Sequence, residues 1–224
     1  VKNKEKYTCR FFLESTKEEI IKEVDAHKLF MKLVENNWNY AEPGILFWDN
    51  IKKYHLLSED KDFKHDGVNP CAEEPLPAGG SCLLGSINLS EFVVEPFTKE
   101  AIFDMEKFNA CVQDCILGLN EVLDEGLSLH PLKQQQESVS RYRQIGLGVM
   151  GIADMLIKLN MRYGSSESIE LCDKISKHML NSAVKKSALI AKERGAFEKY
   201  NKEALLKSPF FINNIDEDVK ELVK

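Results

Sequence analysis

Hydrophobic positions along these 224 residues follow two periods, one helical and one strand-like, and the two alternate. Residues 1–14 are charged and weakly patterned, as in a strand end or an ordered tail. Ser15-Thr16-Lys17-Glu18 has the form of a capping box. Apolar positions Leu29, Phe30, Leu33, Val34 and Trp38 carry a helix on from it, and Pro43-Gly44 breaks it. Ile45-Leu46-Phe47-Trp48 reads as a short buried strand. A polar, turn-rich linker over 50–68 holds His55 and His65 as solvated loop residues. The apolar run Cys82 to Leu89 reads as a strand. Thr98 is placed to cap a helix to about Leu123, with Ile102, Met105, Phe108, Val112, Cys115, Leu119 and Val122 as its buried stripe. Gly126 ends that helix, and Pro131 opens a polar helical stretch to about Tyr142. Asn160 to Gly164 is a turn. Ser165 or Ser166 then caps the longest helix, which runs to Arg194 and stops at Gly195. Its core face is Ile169, Cys172, Ile175, Met179, Ala183 and Ile190. Strands alternating with long helices predict an α/β fold, read as a single domain over 1–224.

Composition narrows the function classes. At 43% hydrophobic residues the chain can build a core. A net charge of −6, with no basic cluster interleaved with aromatics, argues against a nucleic-acid surface. No apolar run reaches the length of a membrane span. The start, Val1-Lys2-Asn3-Lys4, has neither an apolar signal region nor an initiating Met, so the expected start lies inside a longer protein. Six cysteines spread over a chain of this size predict free thiols in a reducing cytoplasm. Cys111 and Cys115 stand four apart on a helix, but no further Cys or His sits at zinc-ligand spacing. They are read as small buried apolar residues, and no metal site is expected. Cys172 and His178 are read as structural.

The chemistry concentrates at Asn69-Pro70-Cys71-Ala72-Glu73. On an extended backbone, alternate residues share a side, so Asn69, Cys71 and Glu73 would converge. Pro70, Pro75 and Pro77 favour that extension, and Gly79-Gly80 ends the segment. A thiol can act as nucleophile or hydrogen donor, a neighbouring carboxylate can move a proton, and an amide can orient a substrate. An extended backbone turns Glu74 away, although the adjacent carboxyl leaves a shared base role open. Cys82 brings a second thiol at the entrance of the following strand. Gly146-Leu147-Gly148-Val149-Met150-Gly151 matches G-x-G-x-x-G, but a dinucleotide fold needs a buried strand before it and an acid at the end of the next strand. Arg141-Tyr142-Arg143 and the helical Glu170 supply neither, and no NAD binding is expected.

From Asn69 to Leu89 the sequence resembles the active-site region of ribonucleotide reductases. The form NPCAEEPLP…GSCLLGSINL is most like the adenosylcobalamin-dependent branch. Glu42 to Asp49 and Tyr142 to Asp154 also resemble family segments, and the likeness runs from about residue 25 to 200. The resemblance implies part of a ten-stranded α/β barrel, with a finger loop at about 67–82 in the centre of a half-formed barrel. It also implies a barrel strand at Ile145 to Val149 and a returning helix at Ile152 to Leu159. Cys71 would carry a thiyl radical and take the 3′-hydrogen of the ribose. Glu73 would act as base at the 3′-hydroxyl, and Asn69 would bind the substrate hydroxyls. Cys82 would be one redox thiol, its partner lying upstream outside this chain.

The implied function is reduction of ribonucleoside di- or triphosphates, with adenosylcobalamin as cofactor and a thioredoxin-type dithiol as reductant. The implied parent is a homodimeric catalytic subunit, cytoplasmic, with the isolated fragment inactive. Two alternatives stand beside it: a reductase taking its radical from a metal-containing partner subunit, and a non-catalytic nucleotide-binding module.

Overall fold

The computed structural model describes residues 6–223. Contacts divide the chain into two compact units, one ending at Phe47 and one beginning at Trp48.

In the first unit, strands β1 (Lys6–Leu13) and β2 (Glu18–Asp25) form an antiparallel hairpin that pairs Phe11 with Ile20 and Arg10 with Ile21. The capping-box reading of Ser15–Glu18 is corrected here. Those residues turn the hairpin, with Lys17 left-handed at φ 59° and its N–H donating to Leu13 O. β-Branched Ile20, Ile21 and Val24 sit well on a pleated strand, and the pairing that claims them is not visible in local periodicity. Helix α1 (Ala26–Tyr40) starts later, capped by Asp25, whose Oδ1 accepts from Lys28 N at 3.0 Å. Its apolar face forms as expected but stays uncovered within its unit, and Trp38 is 89% exposed. Ile45, Leu46 and Phe47 are exposed and form no strand, contrary to the buried-strand expectation.

The second unit opens with helix α2 (Trp48–Lys53). The linker after it is not the solvated loop expected. His55, Phe63 and His65 stack together, with ring centroids 4.5–5.3 Å apart, and Trp48 and Tyr142 close the cluster. Burial, with His65 beside it, lowers the His55 pKa to about 4. Burial lowers that of His65 as well. Short strands β3 (Gly67–Val68) and β4 (Pro75–Leu76) pair antiparallel. Strand β5 (Leu84–Asn88) follows, then the 3₁₀ turn Leu89–Phe92 and the small antiparallel pair β6 (Val93–Val94) and β7 (Ile102–Phe103).

Helix α3 (Met105–Gly126) begins at Asp104, whose Oδ1 accepts from Lys107 N, so Thr98 is not its cap. Thr98 instead closes a local turn, donating to Glu95 O and accepting from Glu100 N. The helix buries Phe108, Val112, Ile116, Leu119 and Leu123, whereas Val122 and the strand residue Ile102 are exposed. The β6–β7 pair takes Ile102 into a strand, Phe108, Val112 and Leu119 are buried as expected, and Ile116 and Leu123 complete the stripe in place of Cys115 and Val122.

Helix α4 (Lys133–Tyr142), strand β8 (Gly146–Met150), helix α5 (Ile152–Lys158) and the long helix α6 (Ser166–Arg194) lie close to their expected bounds. Ser165 Oγ caps α6 and Gly195 ends it. Ile169 is exposed rather than buried, and α6 buries Ser168, Ile175, Asn181 and Ser182. β8 runs parallel to β5, Leu84 opposite Gly146 and Asn88 opposite Met150. With α3, α5 and α6 this pair makes an α/β core around Ile87, Leu89, Phe92, Phe108, Met155 and Leu156.

Among the described residues, three short helices follow α6. Helices α7 (Lys202–Lys207), α8 (Pro209–Asn214) and α9 (Glu217–Val223) bury Phe211, Ile215 and Val219 in a second cluster. Buried Asn181 ties this cluster to α6 by donating to Asn214 O and accepting from Asp216 N. No helix among the described residues is long and apolar enough to cross a membrane.

Phe108 is fully buried and meets Phe92 and Phe103 edge-on. Phe108→Ala is expected to cost about 3–5 kcal/mol in denaturant unfolding, and Val122→Ala within about 0.5 kcal/mol. His55 gives a pH test. Its folded pKa lies below its unfolded value, so the unfolded chain binds the extra proton between about pH 4 and about pH 6.5. Stability should fall as pH drops through that window. A urea midpoint measured against pH should show this slope, and His55→Gln should flatten it.

Candidate active site

The finger is a hairpin loop. β3 and β4 bring its ends together, with Val68 opposite Pro75, and residues 69–74 bridge them. Here the expected extended backbone is corrected. Ala72 N donates to Asn69 O at 2.9 Å, closing a turn, and Ala72 is left-handed at φ 68°. Asn69 then accepts a second bond at Oδ1, from Glu74 N at 2.9 Å. Prolines disfavour helix on either side, but they do not prevent this turn, which an Asn at its first position stabilises. The strict alternation of Asn69, Cys71 and Glu73 on one face is therefore lost. Cys71 and Glu73 are exposed on the loop and Asn69 is half-buried at its base.

Cys82 is influenced by the finger. Cys82 is a free thiol just before β5, and its pKa is raised. The leading cause is partial desolvation at the sulfur, even though the residue as a whole is exposed. Hydrogen bonding and charge from Glu74 come next, then Glu73, and last Cys71.

The sequence reading gave too little weight to Glu74. It is half-buried and its pKa is raised by burial and by Glu73, against a lowering contribution from the Cys82 thiol. Oε2 is buried without a hydrogen-bond partner at full geometry. Oε1 packs on Gly146, where an added Cβ would overlap it. The turn at Ala72 is what brings Glu74 inward, and no local periodicity signals it. The glycines of 146–151 now have a packing role. Gly146 admits Glu74, and left-handed Gly151 lies against Asn88 Oδ1 as it opens α5.

Cys111, Cys115 and Cys172 lie on helices rather than on the finger or the entrance of β5. Cys111 and Cys115 pack against the core from α3, and burial, with Cys111 beside it, pushes the Cys115 thiol up to about 11. Cys172 is half-buried on α6. His178 Nδ1 meets the Asn109 side-chain amide at 3.2 Å.

The family profile described as "Ribonucleotide reductase, barrel domain" matches residues 4–222. The chain belongs to the ribonucleotide reductase barrel-domain family. Among its relatives is a protein of Thermoplasma acidophilum named vitamin B12-dependent ribonucleoside-diphosphate reductase. It is 35% identical over 178 residues, covering 80% of this chain and 22% of the relative. Another, from Chlamydia pneumoniae, is named ribonucleoside-diphosphate reductase subunit alpha and is 33% identical, covering 84% of this chain and 18% of the relative. The chain thus spans about a fifth of the length of these reductases. The fold is similar to that of an Actinobacillus ureae class Id ribonucleotide reductase alpha subunit, with a TM-score of 0.64 at 24% identity, over 77% of this chain and 33% of that one. The barrel-type α/β class expected from the sequence therefore stands.

Asn69→Ala should open the finger of this reductase barrel segment. The lost bond to Glu74 N is expected to cost about 0.5–1.5 kcal/mol. Hydrogen exchange at the Glu74 amide should speed up while exchange in α3 stays unchanged.

Proposed function

We propose that the chain is the finger-bearing part of a ribonucleotide reductase catalytic subunit, and that the intact protein reduces ribonucleotides to 2′-deoxyribonucleotides. The observation that carries this reading is the hairpin loop that holds Asn69, Cys71 and Glu73 together with Cys82 beside it. Cys71 stands exposed on that loop, which suits a thiol that must meet both a radical source and a ribose. As a thiyl radical it would take the 3′-hydrogen. Glu73, exposed and adjacent, would accept the 3′-hydroxyl proton, easing departure of the 2′-oxygen as water. Asn69 Oδ1 is occupied by Glu74 N, so its amide N–H groups would orient the substrate hydroxyls. Cys82 would supply one of the two reducing thiols, its partner lying in the rest of the subunit. Both compact units would belong to one barrel domain there.

The radical source in this reading is adenosylcobalamin, in keeping with the names of the Thermoplasma relative and others of its kind. When bound, that cofactor supplies a carbon-centred radical. Exposure of Cys71 fits an outside radical source of this kind. The Chlamydia relative is named as an alpha subunit without the vitamin, which keeps a partner radical subunit as the second reading. Substrate would be a ribonucleoside di- or triphosphate and the reductant a thioredoxin-type dithiol. The parent would be a cytoplasmic homodimer.

The test uses the intact parent protein. Turnover should require added adenosylcobalamin, and turnover that instead follows a metal-containing partner subunit would favour the second reading. Cys71→Ser should abolish deoxyribonucleotide formation, whereas Cys115→Ala should keep it and cost about 1 kcal/mol of stability. Normal turnover in Cys71→Ser would refute the assignment.

A further inference from the structure

Glu74 is a carboxyl group that the reaction outlined above does not use, yet the fold goes to some length to place it. Its backbone N–H is held by Asn69 Oδ1 at 2.9 Å. The left-handed residue two positions earlier, Ala72, turns it inward. Its side chain occupies the space left by the missing Cβ of Gly146, on the strand paired with β5. One oxygen, Oε2, is buried and lacks a partner at full hydrogen-bonding geometry. A buried carboxylate oxygen without a donor is unfavourable, and the Cys82 thiol, which interacts with this carboxyl group, is the donor at hand. A thiol is a weak donor, so the oxygen's need is only partly met. Such a site favours a proton shared between sulfur and oxygen.

We propose that Glu74 is the positioning and proton-holding residue of the Cys82 thiol. In the resting state the S–H points at the carboxylate, which keeps Cys82 protonated and fixes its rotamer beside Cys71. This rests on the reading of Cys82 as a redox thiol. When that thiol and its partner form a disulfide, they give up two electrons to the substrate and two protons, and Glu74 takes the proton of Cys82. An external dithiol then opens the disulfide and becomes a disulfide itself, passing on two electrons, with one of its protons going to the partner thiol and the other to solvent, which replaces the solvent proton that the substrate takes up beside the partner thiol's own. The Cys82 sulfur leaves as thiolate and recovers its proton from the Glu74 carboxyl. Partial burial and the Glu73 charge both raise the Glu74 pKa, which suits it to hold a proton between these steps. Glu73 is exposed on the loop and is reserved for the substrate hydroxyl.

Groups facing the Cys82 sulfur are Glu74, Glu73 and Cys71 from the finger, while His130 lines the cleft of about 150 Å³ behind it. The experiment measures the pH dependence of iodoacetamide alkylation at Cys82 in the intact parent protein, read at the Cys82 peptide by mass spectrometry. In the folded wild type the profile should lie at higher pH than in the same chain in denaturant. Glu74→Gln should raise the alkylation rate at neutral pH by about threefold or more, because it removes the charge that opposes thiolate formation. Glu73→Gln and His130→Gln should shift it less. Glu74→Asp should restore part of the wild-type profile. Coincident folded and denatured profiles in the wild type would overturn the proposal without any variant. So would a Glu74→Gln profile unchanged while Glu73→Gln shifts. Because the readout is thiol reactivity, it stands or falls separately from deoxyribonucleotide formation. Absence of deoxyribonucleotide formation by the wild-type parent, with the Cys82 profile shifting as expected, would count against the reductase reading and not against this one.

Discussion

The parallel pairing of Leu84–Asn88 with Gly146–Met150 is the constraint on which the site depends. It brings together segments separated by the long helix α3 and by α4, and it places Gly146 directly opposite Leu84. The Gly146 amide donates to Leu83 O at 2.8 Å, extending the ladder to the residue after Cys82. Parallel strands need a covered face and a long crossover. Here α3 and α5 provide the cover, burying Ile87 and Leu89 against Phe108, Val112, Met155 and Leu156. Shift the register by one residue and Gly146 no longer lies under Glu74, the finger loses its seat, and the Cys82 sulfur loses its carboxyl neighbour.

The finger itself is held by a few hydrogen bonds rather than by a core. Two go to the oxygens of one residue, Asn69, which both closes the turn and pins Glu74. This is a compact way to keep two thiols near each other and unbonded. The loop carries Cys71 outward, the strand entrance carries Cys82, and a carboxyl group stands against the second sulfur. Desolvation and negative charge act in the same direction on Cys82, toward the protonated thiol. A protonated thiol suits hydrogen-atom and electron chemistry better than a thiolate poised for nucleophilic attack.

Away from the site, packing settles details that residue type leaves open. His55 and His65 pack on Phe63 of their own linker, and Tyr142, from the end of α4, closes the cluster by meeting Phe63. Asn181 is a buried polar residue in α6 whose amide donates to Lys177 O in its own helix, while its Oδ1 finds a donor, Asp216 N, because the chain returns after α8. These contacts join residues far apart in sequence, and their energetic sense appears only once both partners are in place.

Local chemistry determined the elements whose signals are local. Ser165, Gly195, Gly126 and Pro131 mark helix ends correctly because caps and breakers act within a turn. The run at Leu84–Asn88 is legible as a strand, the strand at Gly146–Met150 follows from the family likeness, and the residues from Asn69 to Leu89 carry that likeness by type and spacing. Tertiary structure decided the rest. Ile20, Ile21 and Val24 became strand because β1 was there to pair with them, and the start of α3 moved to Asp104 because β6 and β7 formed first in the chain. The apolar face of α1 was readable from the sequence, but its burial was not, since periodicity defines a face and only a packed neighbour covers it. The same limit applies to the finger. Prolines and alternate spacing pointed to an extended segment, yet a single left-handed residue and one asparagine turned it, bringing Glu74 rather than Glu73 against Cys82. Spacing assigns side chains to a face only while the backbone stays regular, and a turn closed by two hydrogen bonds is a decision of the folded loop.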